Sequence, residues 1–309
     1  MKTLIIEILN VLNDIYLFLK YSFKNNKLIK KEHYEAYLFK QYHIVEKGLS
    51  LPNPRIGFGE ARIRELITVT NIYIKNYGED QLTMSIISTL ENYIFFNDGH
   101  DSINNFISYV GEFVENKKID MSGGRQKVYK KDKKGETYNF EEFFKNRSSI
   151  RDFENTEIKK NKLIKAVDIA KYSPSVCNRQ GWKTHVYEGG KVQEILRLQY
   201  GSRGFLESVK SLIIITGDIN YFTSLERNQI GIDGGLFSMS LMLALESLNI
   251  GCCPLNACLT YRNENRIKEI SQIPKNERVI MFLAVGNLKD EYYVAKSKRR
   301  STTSFIKFH

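Results

Sequence analysis

The pattern of apolar residues changes near residue 140, and this change most limits the folds that the chain can adopt. Before it, apolar residues recur every three or four positions, which is the spacing of amphipathic helices. After it, helical segments alternate with short runs rich in β-branched residues, which is typical of a mixed α/β or α+β domain. The sequence therefore predicts a mainly helical region over 1–121 and a sheet-containing domain over 140–309.

The same periodicities predict the individual elements. After an opening helix, the first region is predicted to form helices at about 32–47, 59–76, 80–96 and 101–116. The second is predicted to form helices at about 157–172 and 232–249, and strands at 184–187, 212–216 and 279–285. Residues 122–139 are polar and rich in glycine and lysine, so they are predicted to form a basic linker.

The charge of the chain indicates an anionic partner. Its 309 residues carry 46 Lys and Arg against 35 Asp and Glu, a net charge of +11. Such an excess suits a phosphorylated cofactor, a nucleic acid or an anionic lipid surface. The net charge alone does not distinguish among these three classes of partner. The lysines of 122–139 lack the interleaved aromatic residues that single-strand binding uses, so no nucleic-acid partner is predicted.

The four cysteines argue against a metal site and against a secreted disulfide scaffold. They include no C-x-x-C pair, so no structural zinc is predicted. Four thiols in a chain of this length are also too few to hold a small core together by disulfides. We therefore expect a reducing, cytoplasmic location.

The first helix has a continuous apolar stripe with two interpretations. Ile5, Ile8, Leu12, Ile15 and Leu19 repeat at helical spacing, and charged or polar residues interrupt any membrane span. The stripe could pack on its own domain or on a second subunit, which is the usual fate of such a face. Alternatively, residues 3–23 could lie on a membrane surface.

Three separated segments of the second region carry groups suited to a ligand. The first is R-S-S-I-R at 147–151, where two guanidinium groups could bind one phosphate. The second is S-P-S-V-C-N-R-Q-G-W at 173–182, whose short polar side chains suit the edge of a heterocycle, or only a local turn. Trp182 is predicted to be a packing anchor.

The third segment is Q-I-G-I-D-G-G at 229–235, which opens an apolar helix ending in N-I-G-C-C-P-L-N at 249–256. Gly231 has no side chain, so a flat ring could approach its backbone, although the glycines could equally serve helix packing. Neither stretch fits the dinucleotide-binding or P-loop pattern.

In this order, the segments resemble the nitroreductase family of FMN flavoproteins over about 141–306. The resemblance implies an α+β sandwich, with a central, mostly antiparallel sheet flanked by helices. It also implies a homodimer with two FMN sites at its interface, a small-molecule substrate and NAD(P)H as co-substrate. The N-terminal stretch H-I-V-E-K-G-L at 43–49 resembles helical regions attached to nitroreductase domains that are encoded near bacterial surface-polysaccharide genes.

The resemblance also implies which residues would bind FMN. One subunit would bind the phosphate, the ribityl chain or the pyrimidine edge through Arg147, Ser148, Ser149 and Arg151, with Arg299 or Arg300 as the late phosphate ligand. The Gly231 amide would face flavin N5, and a turn over the ring would contain Pro254, Leu255 and Asn256. The other subunit would contribute the loop with Pro174, Ser175, Val176, Asn178 and Gln180. No catalytic side chain is predicted, because the flavin carries the chemistry.

Two positions depart from the family pattern P-S-S-x-N-x-Q-P-W. Val176 replaces the second serine and Gly181 replaces the proline, which removes one expected hydrogen bond to the flavin. His43 and Glu46 could form a metal or acid–base pair, but an H-x-x-E spacing is usual for an exposed helix pair, so no metal is predicted.

The expected function is therefore an FMN-dependent oxidoreductase, in which NAD(P)H reduces the flavin and a small acceptor then oxidises it in ping-pong order. Two alternatives remain open from the sequence. The flavin could instead dehydrogenate or oxidise a biosynthetic intermediate, possibly one of surface polysaccharide. The chain could also be a basic binding module without enzymatic activity.

Overall fold

A computed structural model describes residues 2–23, 27–49, 54–115, 117, 123–125, 139–202, 204–292, 294 and 302–309. Among these residues, the N-terminal region has five α-helices: α1 (Lys2–Tyr21), α2 (Lys31–Leu49), α3 (Glu60–Tyr77), α4 (Gln81–Asn97) and α5 (Asn104–Val114). The C-terminal region contains five more: α6 (Phe140–Asn146), α7 (Lys160–Ala170), α8 (Gly190–Leu198), α9 (Gln229–Ser247) and α10 (Tyr261–Ser271). Its strands are β1 (Trp182–Glu188), β2 (Ser211–Asp218), β3 (Ile250–Asn256) and β4 (Glu277–Asn287).

The described strands form one antiparallel sheet in the order β1-β2-β4-β3. β2 and β4 are central, and β3 lies at an edge, where it pairs with β4 from Ile250 opposite Asn287 to Asn256 opposite Met281. The sequence prediction of a turn at 254–256 is wrong, because these residues continue strand β3. Pro254 does not prevent the strand, since an edge strand tolerates a residue without a backbone N–H.

Helices cover both faces of the sheet. On one face, α7 and α9 pack with Ile213, Ile215 and Cys252. On the other, α8 and α10 pack with Ile214 and Cys253. Neighbouring residues of one strand thus enter different cores, as the alternation of side chains in a strand requires. The C-terminal region combines helices with an antiparallel sheet, and the N-terminal region is helical. The predicted fold class is therefore confirmed.

Helix α9 is the core helix of the second region, although it is not buried all round. Phe237 stacks on Trp182 with ring centroids 4.8 Å apart, which confirms the predicted packing role of Trp182. Ile232 and Leu236 are four residues apart and remain exposed. α9 is long and apolar enough to cross a membrane by length and composition, but half of the relevant window is buried inside this protein.

The N-terminal helices have a core of their own and share a second one with the sheet domain. Helices α2 to α5 bury a cluster that includes Leu66 and Leu90. A separate cluster joins Leu17 and Phe18 of α1 to Phe222, and Tyr221 donates a hydrogen bond to Glu35 of α2. The N-terminal region is therefore packed directly against the predicted flavin domain.

Three helices and one strand were not predicted. α6, α8 and α10 have only 7, 9 and 11 residues, so each gives a short signal in the sequence, and the Gly and Pro of β3 are typical of a turn. Of the predicted linker, only 123–125 and 139 lie within the described residues. There, Gly124 donates its N–H to Glu46 and Arg125 donates to the carbonyl of Leu49.

Candidate active site

The R-S-S-I-R segment lies along the edge strand β3. The N–H of Ile150 donates to the carbonyl of Cys252 at 3.0 Å, and Ser208 donates to the carbonyl of Arg151 at 3.2 Å. Ile150 is buried, whereas Arg147 is half-buried and Arg151 is exposed. The backbone of the segment is thus fixed while its two guanidinium groups stay accessible.

Both arginines add positive charge to this edge of the sheet. Burial raises the pKa of the Cys253 thiol, and the charges of Arg151 and Arg147 oppose that rise. Burial also raises the pKa of Glu246, and the charge of Arg147 opposes that rise. Neither arginine forms an ion pair with a carboxylate among the described residues. Both charges are therefore available to a phosphate.

An open cavity of about 730 Å³ lies at the start of α9, beside the end of β3. Its lining from the second region includes Gly231 and Gly235, the residues Ala257 and Cys258 that follow β3, and the stretch 278–281 of β4. Asn256 directly precedes this lining. Residues 252 and 256 are four strand positions apart, roughly 13 Å, so one strand connects the arginine segment to the cavity.

Two of the three glycines of α9, Gly231 and Gly235, leave their side of the helix open. A Cβ placed on Gly231 or on Gly235 would meet no atom within 4 Å. The Gly231 N–H, which the family resemblance assigns to flavin N5, donates here to the carbonyl of Asn228 at 3.2 Å. Gly235 was missed by the sequence analysis, although it stands one helical turn after Gly231 and therefore shares its face.

The loop at 174–180 has a strained backbone that its surroundings hold in place. Cys177, Asn178 and Gln180 have φ values of 50°, 50° and 51°, the left-handed region that costs a non-glycine residue about 1 kcal/mol or more. The N–H of Gln180 donates to the Ser175 hydroxyl at 3.0 Å. The N–H of Val176 donates to the Asp233 carboxylate at 3.1 Å. The loop is thus tied to α9.

Arg179 anchors the same loop from inside. Its side chain is fully buried, its guanidinium lies 5.6 Å from the ring centroids of both Phe23 and Phe222, and it donates to Glu226 at 2.7 Å. Burial alone would raise the pKa of Glu226, but the hydrogen bonds from Arg179 and from Thr223 hold it below its usual value. Nothing in the sequence marks Arg179 as buried, so it is absent from the predicted site residues.

The structure does not bring all predicted site residues into one cavity of a single chain. Pro174 and Asn178 are exposed, and the loop 174–180 contacts α2 and the side of α9 at Asp233, not the cavity at Gly231. Pro254 and Leu255 belong to β3 and lie beside the arginine segment, with Leu255 buried in the core. Arg299 and Arg300 lie outside the described residues.

His43 and Glu46 contact one another on α2. The His43 Nδ1 and the Glu46 carboxylate are 3.2 Å apart, and Glu46 also accepts the N–H of Gly124. No group of three or more His, Cys, Asp or Glu side chains suited to a metal is present within the described ranges.

The C-terminal half of the chain matches a known family. Residues 144–215 and 226–287 match the model of the Nitroreductase family, as the motifs of this half indicated. The match supports an oxidoreductase activity of this general type. No curated protein matches the chain.

The C-terminal half is also similar to solved structures of nitroreductase-family proteins. YdfN of Bacillus subtilis, named as a nitroreductase, is 17% identical, with a TM-score of 0.50 over 55% of this chain and 99% of that one. A nitroreductase family protein of Streptococcus pneumoniae is 20% identical, with a TM-score of 0.47 over 55% and 100%. An FMN-dependent nitroreductase of Clostridium difficile is 21% identical, with a TM-score of 0.46 over 54% and 96%.

The buried pair of Arg179 and Glu226 predicts a pH-dependent contribution to stability. Because the folded pKa of Glu226 is lowered, its contribution is present above the unfolded value of about 4.5 and is lost as the pH falls through the folded value. We expect Glu226→Gln to lower the free energy of unfolding at pH 7 by about 1–3 kcal/mol, and the difference from wild type to shrink below pH 4.5. Urea denaturation at pH 7 and pH 4 measures both.

Glu207→Gln is the control, because Glu207 lies 3.8 Å from Arg197 in an exposed ion pair. Exposed pairs contribute little, so this variant should match wild type at both pH values. A Glu226→Gln protein as stable as wild type at pH 7 would contradict the assigned role of the buried pair.

Proposed function

We propose that the protein is an FMN-dependent oxidoreductase of the nitroreductase type, active as a homodimer. Bound FMN would supply the redox chemistry, accepting a hydride at N5 from NAD(P)H and then reducing a small acceptor. The observation that carries the proposal is the open cavity at Gly231, located at the strand end of a domain that matches the Nitroreductase family.

The residues around the cavity fit a flavin. Its volume of about 730 Å³ lies within the range of small-molecule sites. Gly231 and Gly235 leave the helix surface free of side chains, so a planar ring can approach the backbone there. Arg147 and Arg151 lie in the segment that hydrogen-bonds to β3 through Ile150, and they form no ion pair with a described carboxylate, which suits them to the phosphate of FMN.

The protein groups would bind and orient the cofactor. The guanidinium groups of Arg147 and Arg151 would hold the phosphate, while the segment is fixed to β3 through Ile150. The start of α9 would place the positive end of a helix dipole near the ring, which favours negative charge on the reduced cofactor. We assign no protein side chain as an acid or base.

Two features support a dimer with a shared site. The predicted flavin loop does not line the Gly231 cavity of its own chain, which fits its expected contribution to the flavin site of a second copy. Ile232 and Leu236 form an exposed apolar pair on α9, next to that cavity. A second subunit packed on this face would bury them and bring its loop to the flavin.

Purification tests the proposal directly. We expect a yellow protein that releases FMN on denaturation, because the cavity and the free arginines suit this cofactor. Under anaerobic conditions, NADH or NADPH should bleach the flavin absorbance. A colourless protein that takes up no added FMN would refute the proposal. A bound flavin that neither nicotinamide reduces would favour a dehydrogenase or oxidase acting on another substrate.

Removing either phosphate ligand should weaken cofactor retention. We expect Arg147→Ala and Arg151→Ala each to cost about 1.5–3 kcal/mol in FMN binding, because a charge-assisted hydrogen bond is lost. Fluorescence titration of the apoprotein with FMN measures the dissociation constants. Arg262→Ala, at an exposed arginine on α10 that contacts Tyr261, should bind FMN as wild type does. Wild-type FMN affinity in both Arg147→Ala and Arg151→Ala would exclude these residues as phosphate ligands.

Alanine in place of Gly231 or Gly235 should lower FMN affinity without lowering the stability of the apoprotein. Gly231→Ala and Gly235→Ala should keep or raise the thermal stability of the apoprotein, because alanine is favoured over glycine in a helix by about 1 kcal/mol and the added methyl meets no protein atom. Both should lower FMN affinity, since the methyl groups enter the cavity.

Gly111→Ala is the matched control, because Gly111 lies within α5 and a Cβ there also meets nothing within 4 Å. It should leave FMN affinity unchanged. Unchanged FMN affinity in both cavity variants would show that the flavin does not lie on this face of α9.

A further inference from the structure

One wall of the Gly231 cavity comes from outside the part of the chain that matches the family. Helix α1 contributes Val11, Asp14, Ile15 and Phe18 to the lining, whereas the family match begins at residue 144. The N-terminal region therefore shapes the space next to the proposed flavin position, and the family fold alone does not account for that space.

Several contacts along α1 hold this wall in place. The Asn10 side chain accepts the backbone N–H of Tyr261 at 2.8 Å, and Asp14 forms an ion pair with Arg278 on β4. Phe18 is buried in the cluster shared with the sheet domain. Because these contacts are spread over more than two helical turns, the cavity-facing side chains between them are already positioned before a ligand binds.

The cavity combines this apolar wall with an arginine, Arg227, that pairs with no carboxylate among the described residues. Arg278 is engaged by Asp14 and lies 3.6 Å from Glu264. Arg227 also lines the cavity, is exposed, and forms no ion pair with any carboxylate in the described part of the chain. Arg227 immediately precedes Asn228, the N-cap of α9, whose side chain makes no cap hydrogen bond. The uncapped end of α9 adds to the positive potential there.

We propose that α1 is the acceptor-binding wall of the flavin site, and that the cavity takes an electron acceptor with a planar apolar body and a single carboxylate. Val11 and Ile15 contact the apolar body, and Arg227 together with the start of α9 binds the carboxylate. The inference rests on the proposed function, because it places the flavin at Gly231. It adds the substrate class and names the residues that select it.

Binding of an unreactive probe tests the inference without turnover. Benzoate has the proposed chemistry, and benzamide is its neutral counterpart of similar shape. Both are titrated calorimetrically into the flavin-loaded protein. We expect benzoate to bind more tightly than benzamide. Arg227→Gln should weaken benzoate about tenfold, as expected for loss of one charge-assisted hydrogen bond, and leave benzamide unchanged.

Variants of α1 test the apolar wall. Val11→Ser and Ile15→Ser should weaken both probes several-fold, because each removes apolar contact from the cavity. Leu12→Ser is the matched control: Leu12 is 55% exposed and Val11 57% exposed, but Leu12 does not line the cavity. It should bind both probes as wild type does.

The same preparations separate this inference from the proposed function, because FMN content and reduction by NAD(P)H are measured on each. If the protein holds reducible FMN but does not bind benzoate, or if Arg227→Gln and the α1 variants change neither probe, the inference is wrong and the proposed function stands. If Arg227→Gln releases FMN, Arg227 belongs to the flavin site and the inference is also wrong. Absence of bound flavin would overturn both.

Discussion

The pairing of β2 with β4 in the middle of the sheet is the interaction on which the rest of the C-terminal region depends. Every residue of β2 is buried, so both faces of the sheet must be covered. Helices α7 and α9 cover one face and α8 and α10 the other. A ligand can then reach the sheet only at its edge strand or at its strand ends. The arginine segment lies at the edge and the cavity at an end, so the fold determines where the site can form.

The strained loop at 174–180 shows how the N-terminal region enters the architecture of the site. Three left-handed non-glycine residues persist only where neighbouring structure holds them. Here Asp233 binds the loop backbone, and Arg179 is buried between an aromatic ring from each region. A buried guanidinium is costly unless it is paired, and Glu226 pairs it. The conformation of the loop is therefore coupled to the end of α1 through Phe23.

The sequence predicts the long helices and strands well, but it does not predict which residues of distant segments meet at the site. Helix α4 is long and strand β2 is a run of β-branched residues, and the sequence places both within a few residues, whereas the proline in edge strand β3 resembles one in a loop. Gly231 was found through a resemblance, but Arg227 and Val11 were not. Their shared position at one cavity depends on α1 crossing the end of the sheet, which no local pattern records. Arg179 was missed for the same reason, since its burial is set by distant Phe23 and Phe222.

The contacts of the N-terminal helices indicate why such a region would stay attached to a flavin domain. α1 borders the cavity at Gly231, and α2 packs against the turn at Val176–Asn178 that is proposed to reach the other subunit's flavin. Both parts of a shared site are thus in contact with the same helical region. Tyr221 and Glu35 connect the two regions by a hydrogen bond next to a buried apolar cluster. A shift of this region would alter the proposed acceptor wall and the proposed flavin loop together, so under the proposed function its attachment would couple substrate choice to cofactor positioning.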